Sequence, residues 1–249
     1  AFGPNHPYGR PAQGFPKTIE SLTREDLATF HRTYWKPGSS ALIFVGAVTL
    51  DEAAALARQH FGAWSGGSAP AVSIPAPAPA SGGKIYLVDR QDAAQTVIQQ
   101  FLPAPRRQTD DYYPLLLADA VWGGGGFGTR LNLNLREDKG YSYGVFSTLA
   151  LFREGGYWYA GGPVQTDKTI ESVAEFDKEM KNLGGAKPIS EEEFSTARLT
   201  KVRGYAQQFE SYGRIAGQIA ELWGYSLPMT ELQQEYDATA KATLPATLA

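Results

Sequence analysis

Hydrophobic positions along the chain follow two rhythms, one of period 3.6 and one of short continuous or alternating runs. Residues 1–16 follow neither, and with four prolines and three glycines they read as loop. Thr23 is a good N-cap with the acidic Asp26 at N3, so a helix is predicted through Leu27 and Phe30 to about Tyr34, stopped by Pro37-Gly38. The nearly unbroken apolar run Ser-Ala-Leu-Ile-Phe-Val-Gly-Ala-Val over 40–48 predicts a buried strand. Asp51 is positioned to cap a helix over 52–61 that packs through Ala54, Leu56, Ala57 and Phe61.

The pattern is then interrupted. Ser, Gly, Ala and Pro dominate residues 65–83, with Pro70, Pro75, Pro77 and Pro79 in an extended register, a semi-rigid linker of polyproline type. The predicted organisation is therefore a segment 1–66, a linker 67–83 and a domain 84–249.

Beyond the linker, strands are predicted at 84–89 and 94–101. A helix over 110–122 runs into Gly123, Gly124, Gly125 and Gly126, and a second helix follows over 129–138. Aromatic strands are expected at about 141–149 and 155–162. Alternation along the second places Trp158 on the opposite face from Tyr157 and Tyr159, while Trp122, beside the glycines, is expected to line a cleft. Asp167 is the expected cap of a helix carrying Ile170, Val173, Phe176, Met180 and Leu183, and Ser190 with Glu193 makes a full capping box for the next.

The stripe Val202, Tyr205, Phe209, Tyr212, Ala216, Ile219, Trp223 steps by threes and fours. It predicts a long helix or a helix pair, with Gly213 and Gly217 as possible break points. A last helix should run from near Pro228 to Lys241. Strands followed by a helical block make the fold class α+β, a mixed or antiparallel sheet packed against a helical layer. Thr23 and Thr243 each open a helix after a short loop, a weak internal echo that suggests two structural repeats.

Composition narrows the function. The chain has 249 residues, 43% hydrophobic, with 12 Phe, 13 Tyr and 5 Trp, enough for a sizeable core. A net charge of −3 without a basic cluster argues against nucleic acid, whose phosphates reward grouped Lys and Arg. There is no cysteine, which excludes disulfides, thiolate catalysis and Cys-based zinc sites. No apolar run approaches the ~20 residues of a membrane-spanning helix. The opening Ala-Phe-Gly-Pro-Asn-His resembles neither a signal peptide nor an initiation site and reads as the interior of a longer protein.

The glycine run fails as a phosphate loop, because no Lys-Ser/Thr follows and it joins two helices. It is either a flexible connection or a place where another chain comes close to bare backbone. Gly-rich turn, Thr129-Arg130-Leu131, Leu135-Arg136-Glu137, Lys139-Gly140 and Tyr143-Gly144 follow in series, and this series resembles the signature of the second domain of insulinase/pitrilysin-type zinc peptidases. Further resemblances are His6-Pro7-Tyr8-Gly9-Arg10-Pro11, Ser21-Leu22-Thr23-Arg24-Glu25-Asp26-Leu27, Val45-Gly46 and Ile189-Ser190-Glu191-Glu192-Glu193-Phe194.

The resemblance implies a fold like that of mitochondrial processing peptidase and assigns the family's Arg-x6-Tyr pair to Arg136 and Tyr143. In the family that pair lies across a cavity from the zinc and holds the substrate. The residues alone allow a plainer reading, Arg136 paired with Glu137 or Asp138 and Tyr143 a strand-face aromatic. The family's His-x-x-Glu-His zinc motif is missing: the only histidines are His6, His31 and His60, none at that spacing. His31 and His60 read as surface or cap residues and His6 as a structural loop residue.

The expectation is thus a zinc-free, substrate-holding part of a metalloendopeptidase, inactive alone, with Arg136, Tyr143 and the four glycines 123–126 as substrate contacts. Its expected partners are a peptide or unfolded polypeptide and a zinc-bearing sister domain or subunit. A bacterial periplasm or cell envelope is the expected location. Three arrangements remain open: one long chain with the zinc motif upstream, a subunit paired with a separate zinc subunit, or an assembly scaffold of the same fold.

Overall fold

The computed structural model describes residues 2–78 and 83–248. Before the linker lie α1 (Pro16–Ser21), α2 (Arg24–Tyr34) and α3 (Leu50–Phe61). After it come β1 (Gln95–Ala104), α4 (Tyr112–Asp119), α5 (Arg130–Asn132), β2 (Phe146–Phe152) and β3 (Gly155–Gln165). The chain continues through α6 (Thr169–Leu183), α7 (Glu191–Gly204), α8 (Tyr212–Tyr225), α9 (Glu231–Lys241) and α10 (Leu244–Leu248).

Packing divides these elements into two units, residues 2–75 with 206–231, and residues 76–205 with 232–249. The first holds α1, α2, α3 and α8. Thr23 caps α2 as its sequence suggests, accepting from the Asp26 N–H at 3.2 Å while the Asp26 carboxylate accepts from the Thr23 N–H at 2.8 Å. For α3 the cap is Thr49, in a box with Glu52, and not Asp51. A threonine two residues earlier starts the helix at Leu50, and Asp51 falls inside the first turn, where its charge still suits the helix dipole. His6 is buried in the opening loop, its Nε2 2.9 Å from the Pro75 carbonyl and its Nδ1 accepting from the Tyr8 N–H.

Residues 40–48 form no strand. Leu42 and Phe44 stay exposed, and no ladder partner exists for the run among the described residues. An apolar segment becomes a strand only when another strand takes its backbone hydrogen bonds.

In the second unit the sheet has three antiparallel strands in the order β1-β3-β2. Phe101 lies opposite Tyr159, and Ser147 opposite Ala160. The core sits on one face of this sheet, under α4, α5, α6 and α7, and includes Leu117, Trp122, Leu131, Leu135, Val164 and Phe176. Residues 84–89 lie outside the ladder, with Ile85 92% exposed. The physical reason is again a missing partner. Residues 67–78 form neither helix nor strand, and Pro79 lies outside the described residues. Residues 206–231, read in sequence as part of the later domain, pack with the first unit.

Three further local expectations are corrected. Asp167 does not cap α6, because a 3-10 turn over Thr166–Lys168 precedes it. The buried stripe of α6 is Ser172, Phe176, Glu179 and Leu183, which turns Ile170 outward. The long apolar stripe breaks at residues 205–211, and Gly213 and Gly217 both lie inside α8.

Candidate functional site

The site is built where α4 meets the sheet. The helix does not end at Trp122 but loosens into a π-helical turn, Ala120–Gly124. Three of the four glycines are there because the chain itself fills the space a side chain would need. A Cβ at Gly123 would stand 2.6 Å from the Ser147 amide nitrogen and 2.8 Å from Leu131 Cδ1. One at Gly124 would meet Asp119 Oδ2 at 2.2 Å, and one at Gly125 the Ala120 carbonyl at 2.5 Å. Gly126 faces open space, but its φ of +96° is a conformation that side chains disfavour. The run is a close-packed wall against β2.

Behind the wall sits a carboxylate that sequence reasoning passed over. Asp119 is buried, and its Oδ1 accepts from Ser147 Oγ at 2.5 Å and from Trp158 Nε1 at 2.6 Å. Burial raises its pKa above the usual range, against the pull of those two hydrogen bonds and of the Lys201 charge. A carboxyl whose folded pKa is raised opposes folding when ionised, so its contribution becomes more favourable as pH falls through the folded value. Asp119→Asn keeps an acceptor and removes the buried charge. Its stability at pH 7 should match the wild type or exceed it by up to about 1 kcal/mol. Asp119→Ala, which orphans two donors, should lose about 1–3 kcal/mol. Chemical denaturation of both variants checks this, and an alanine variant as stable as wild type would remove Asp119 from the support of the wall.

Asn132 ties the other side of the wall to the start of β2. Its Nδ2 donates to the Gly126 and Val145 carbonyls at 2.9 and 2.7 Å, and its Oδ1 accepts from the Val145 N–H at 2.9 Å. Next to it, Arg130 is fixed by Glu193 through two hydrogen bonds and by the Lys187 and Pro188 carbonyls. The helix expected over 129–138 is a short α5 followed by a π-helical turn, Leu133–Asp138. That turn carries Arg136 at its surface.

The wall and the first residues of β2 border an open cavity of about 540 Å3, lined by Gly123, Gly124, Gly126, Phe127, Asn132, Gly144 and residues 145–148. Phe127 connects this cavity to the Arg/Tyr pair. The Arg136 guanidinium carbon lies 4.3 Å from the Phe127 ring centre and 5.5 Å from that of Tyr143, and the two rings meet edge to face at 6.3 Å. Glu137 accepts from Arg136 Nη1. Tyr143 is well exposed. The structure thus brings Arg136 and Tyr143 together, with Phe127 between them and the cavity, while Gly125 faces away from the lining.

Trp122 is not a cleft residue. It is 0% exposed, packed edge to face on Trp158 at 5.0 Å, because the π-helical turn rotates it into the core. The alternation of Tyr157, Trp158 and Tyr159 holds: Trp158 reaches inward to Asp119, and both tyrosines join rings on the other sheet face. Phe127 and Asn132 carried weak sequence signals. One is a lone aromatic in a glycine run, the other a polar residue on the same helical face as Leu131 and Leu135.

Among the described residues, no three His, Cys, Asp or Glu side chains are placed to hold a metal ion. His6 is engaged with backbone groups, and His31 stacks on Trp35. The donor set does not fit zinc.

Residues 21–201 match the family model described as "Peptidase M16 inactive domain". The chain is 31% identical over 156 residues to an uncharacterized zinc protease of Mycobacterium leprae, an alignment covering 62% of this chain and 35% of that protein. It therefore spans about a third of that relative's length. The crystal structure of a peptidase M16 inactive domain from Pseudomonas fluorescens superposes with a TM-score of 0.85 at 24% identity, covering 98% of this chain and 58% of that one. A protease from Helicobacter pylori superposes with a TM-score of 0.78 at 18% identity, covering 98% and 59%. At these identities the likeness to the solved structures shows the fold alone.

Proposed function

The chain belongs to the peptidase M16 inactive-domain family, and from that premise we propose that it is the zinc-free, substrate-holding portion of a larger metalloendopeptidase. The observation that carries this reading is the Arg136–Phe127–Tyr143 cluster beside an uncharged, glycine-walled cavity. Among the described residues β2 is an edge strand, paired with β3 alone, so an extended peptide can lie alongside it by strand addition. A guanidinium presents several fixed donors suited to a peptide carbonyl, and ring faces on either side limit its movement. A zinc-bearing domain or subunit would supply the activated water, and this chain's part is to bind and orient the substrate.

Arg136→Ala, made in the whole protein that contains this chain, should lower kcat/KM for peptide hydrolysis on the order of 10²-fold, the scale of losing one aimed donor. Its thermal midpoint should stay near the wild-type value, because the side chain is held only by surface contacts. Arg136→Lys should recover part of the activity, since an ammonium keeps the charge but not the fork. Unchanged turnover and peptide affinity in Arg136→Ala would sink the assignment.

A further inference from the structure

The sheet face opposite the core bears a connected row of rings. Alternation along β1 turns Val97, Gln99, Phe101 and Pro103 to this side, and β3 turns Tyr157 and Tyr159 the same way. Phe101 lies 5.5 Å from Tyr157 and 5.2 Å from Tyr159. Tyr159 lies 5.3 Å from Phe146, and Tyr157 lies 5.8 Å from Phe152. Five rings from all three strands therefore touch in sequence. Val97, Phe101 and Phe146 are 63%, 43% and 51% exposed, so the row is accessible from solvent.

Phe146 belongs to both this row and the lining of the glycine-walled cavity, as Thr148 belongs to both the outer face of β2 and that lining. The two surfaces are continuous. None of the ten lining residues carries an ionisable side chain, and the flanking rings are Phe127 on the glycine side and Phe146 on the strand side. A volume of about 540 Å3 falls within the range of working ligand pockets, roughly 300–1,000 Å3.

We infer that this cavity and the adjoining ring row form a subsite for an apolar, preferably aromatic, side chain of an extended peptide lying along the free edge of β2. The inference rests on the peptide-holding reading and adds the class of residue held. A strand added beside β2 sends every second side chain toward the ring face, so one residue can enter between Phe127 and Phe146 while its neighbours point away. A charged side chain in the same place would lose its water and find no countercharge in the lining, whereas an aromatic one gains ring contacts and apolar burial. The Arg136 guanidinium packs on the Phe127 ring and has Glu137 at its Nη1. It is placed for the peptide backbone rather than for a side chain in the cavity.

The test is equilibrium binding of fluorescein-labelled nonapeptides to the whole protein. The peptides consist of alternating Gly and Ser except for a central Phe, Leu, Lys or Asp. The Phe peptide should bind about tenfold or more tightly than the Lys and Asp peptides, with Leu between them, which corresponds to most of a buried aromatic side chain. Phe146→Ala and, independently, Phe127→Ala should shrink that ratio toward unity, and Phe146→Leu should preserve most of it. Thermal unfolding verifies that each variant is folded. A ratio that survives both alanine variants would put the preference elsewhere and overturn the subsite. Four peptides of equal affinity, all weakened by Arg136→Ala, would overturn the subsite and leave peptide holding intact. No binding by any peptide would overturn both.

Discussion

Arg130→Met should lower the unfolding free energy by about 2–3 kcal/mol, because the guanidinium is buried while the Glu193 carboxylate it leaves behind stays partly exposed to water. The Arg130 side chain is 3% exposed. It donates from Nε and Nη2 to Glu193 at 2.7 and 2.6 Å, from Nη1 to the Lys187 carbonyl at 2.6 Å, and from Nη2 to the Pro188 carbonyl at 2.8 Å. Four acceptors lose their donor together. Glu193 also closes the α7 capping box, accepting from the Ser190 N–H and Oγ at 2.9 Å each, so it is bound from two sides.

The Arg130 hydrogen bond is the main reason that the Glu193 pKa falls from its ordinary 4.5 to about 2. A lowered carboxyl pKa gives stability that is complete above the unfolded value and is lost as pH falls from about 4.5 toward 2. For a carboxylate that solvent partly screens, that loss is about 1–2 kcal/mol. Urea denaturation at pH 7 and at pH 3 measures both effects. The wild type should weaken between the two, and Arg130→Met should show a smaller difference from a lower starting point. A variant within 1 kcal/mol of wild type at pH 7 would show that the pair is dispensable.

This pair illustrates what could be read from the sequence and what could not. The Ser190–Glu193 box is a local signal of three residues' span and is legible. The partner of Glu193 lies 63 residues earlier, and no spacing rule connects the two. The Thr23 and Ser190 caps and the hairpin strands are legible because each is carried by a short segment, whereas Asp51 and Asp167 lose their expected cap positions to Thr49 and to a 3-10 turn. The runs at 40–48 and 84–89 fail as strands because apolar content states only that a segment would be buried if paired. Whether a neighbour supplies the hydrogen bonds is a property of the tertiary arrangement. The glycine wall shows a third case. Its composition was obvious, but the two readings offered, a flexible connection or a gap for another chain, overlooked the chain's own Ser147, Asp119 and Ala120 as the neighbours that exclude a Cβ. Phe127 and Asn132 escaped notice because their roles depend on which groups the π-helical turns bring beside them.

The sharpest separation of structure from function in this region lies between two aromatic residues five positions apart. Trp122→Ala should cost about 3–5 kcal/mol, the range for emptying a fully buried large aromatic site. The side chain is 0% exposed, packs on Trp158, and belongs to the same core as Leu117, Leu131 and Phe176, so the space it leaves cannot be filled without shifting α4 against the sheet. Trp122→Phe should cost much less, about 1–2 kcal/mol. It keeps a ring against Trp158, and the Trp122 Nε1 it removes is a buried donor with no hydrogen-bond partner, so no hydrogen bond is lost. Phe127 is 54% exposed, so Phe127→Ala should change stability by less than about 1 kcal/mol and act on the cavity it lines and on the Arg136 guanidinium that its ring faces. Thermal and urea unfolding of the three variants, run beside peptide binding, decides the point. If Trp122→Ala kept wild-type stability and lost only binding, Trp122 would line a cleft after all, as its place beside the glycines first suggested. If Phe127→Ala unfolded, the glycine wall would depend on Phe127 for its shape, and its effect on binding would no longer report on the cavity or on Arg136.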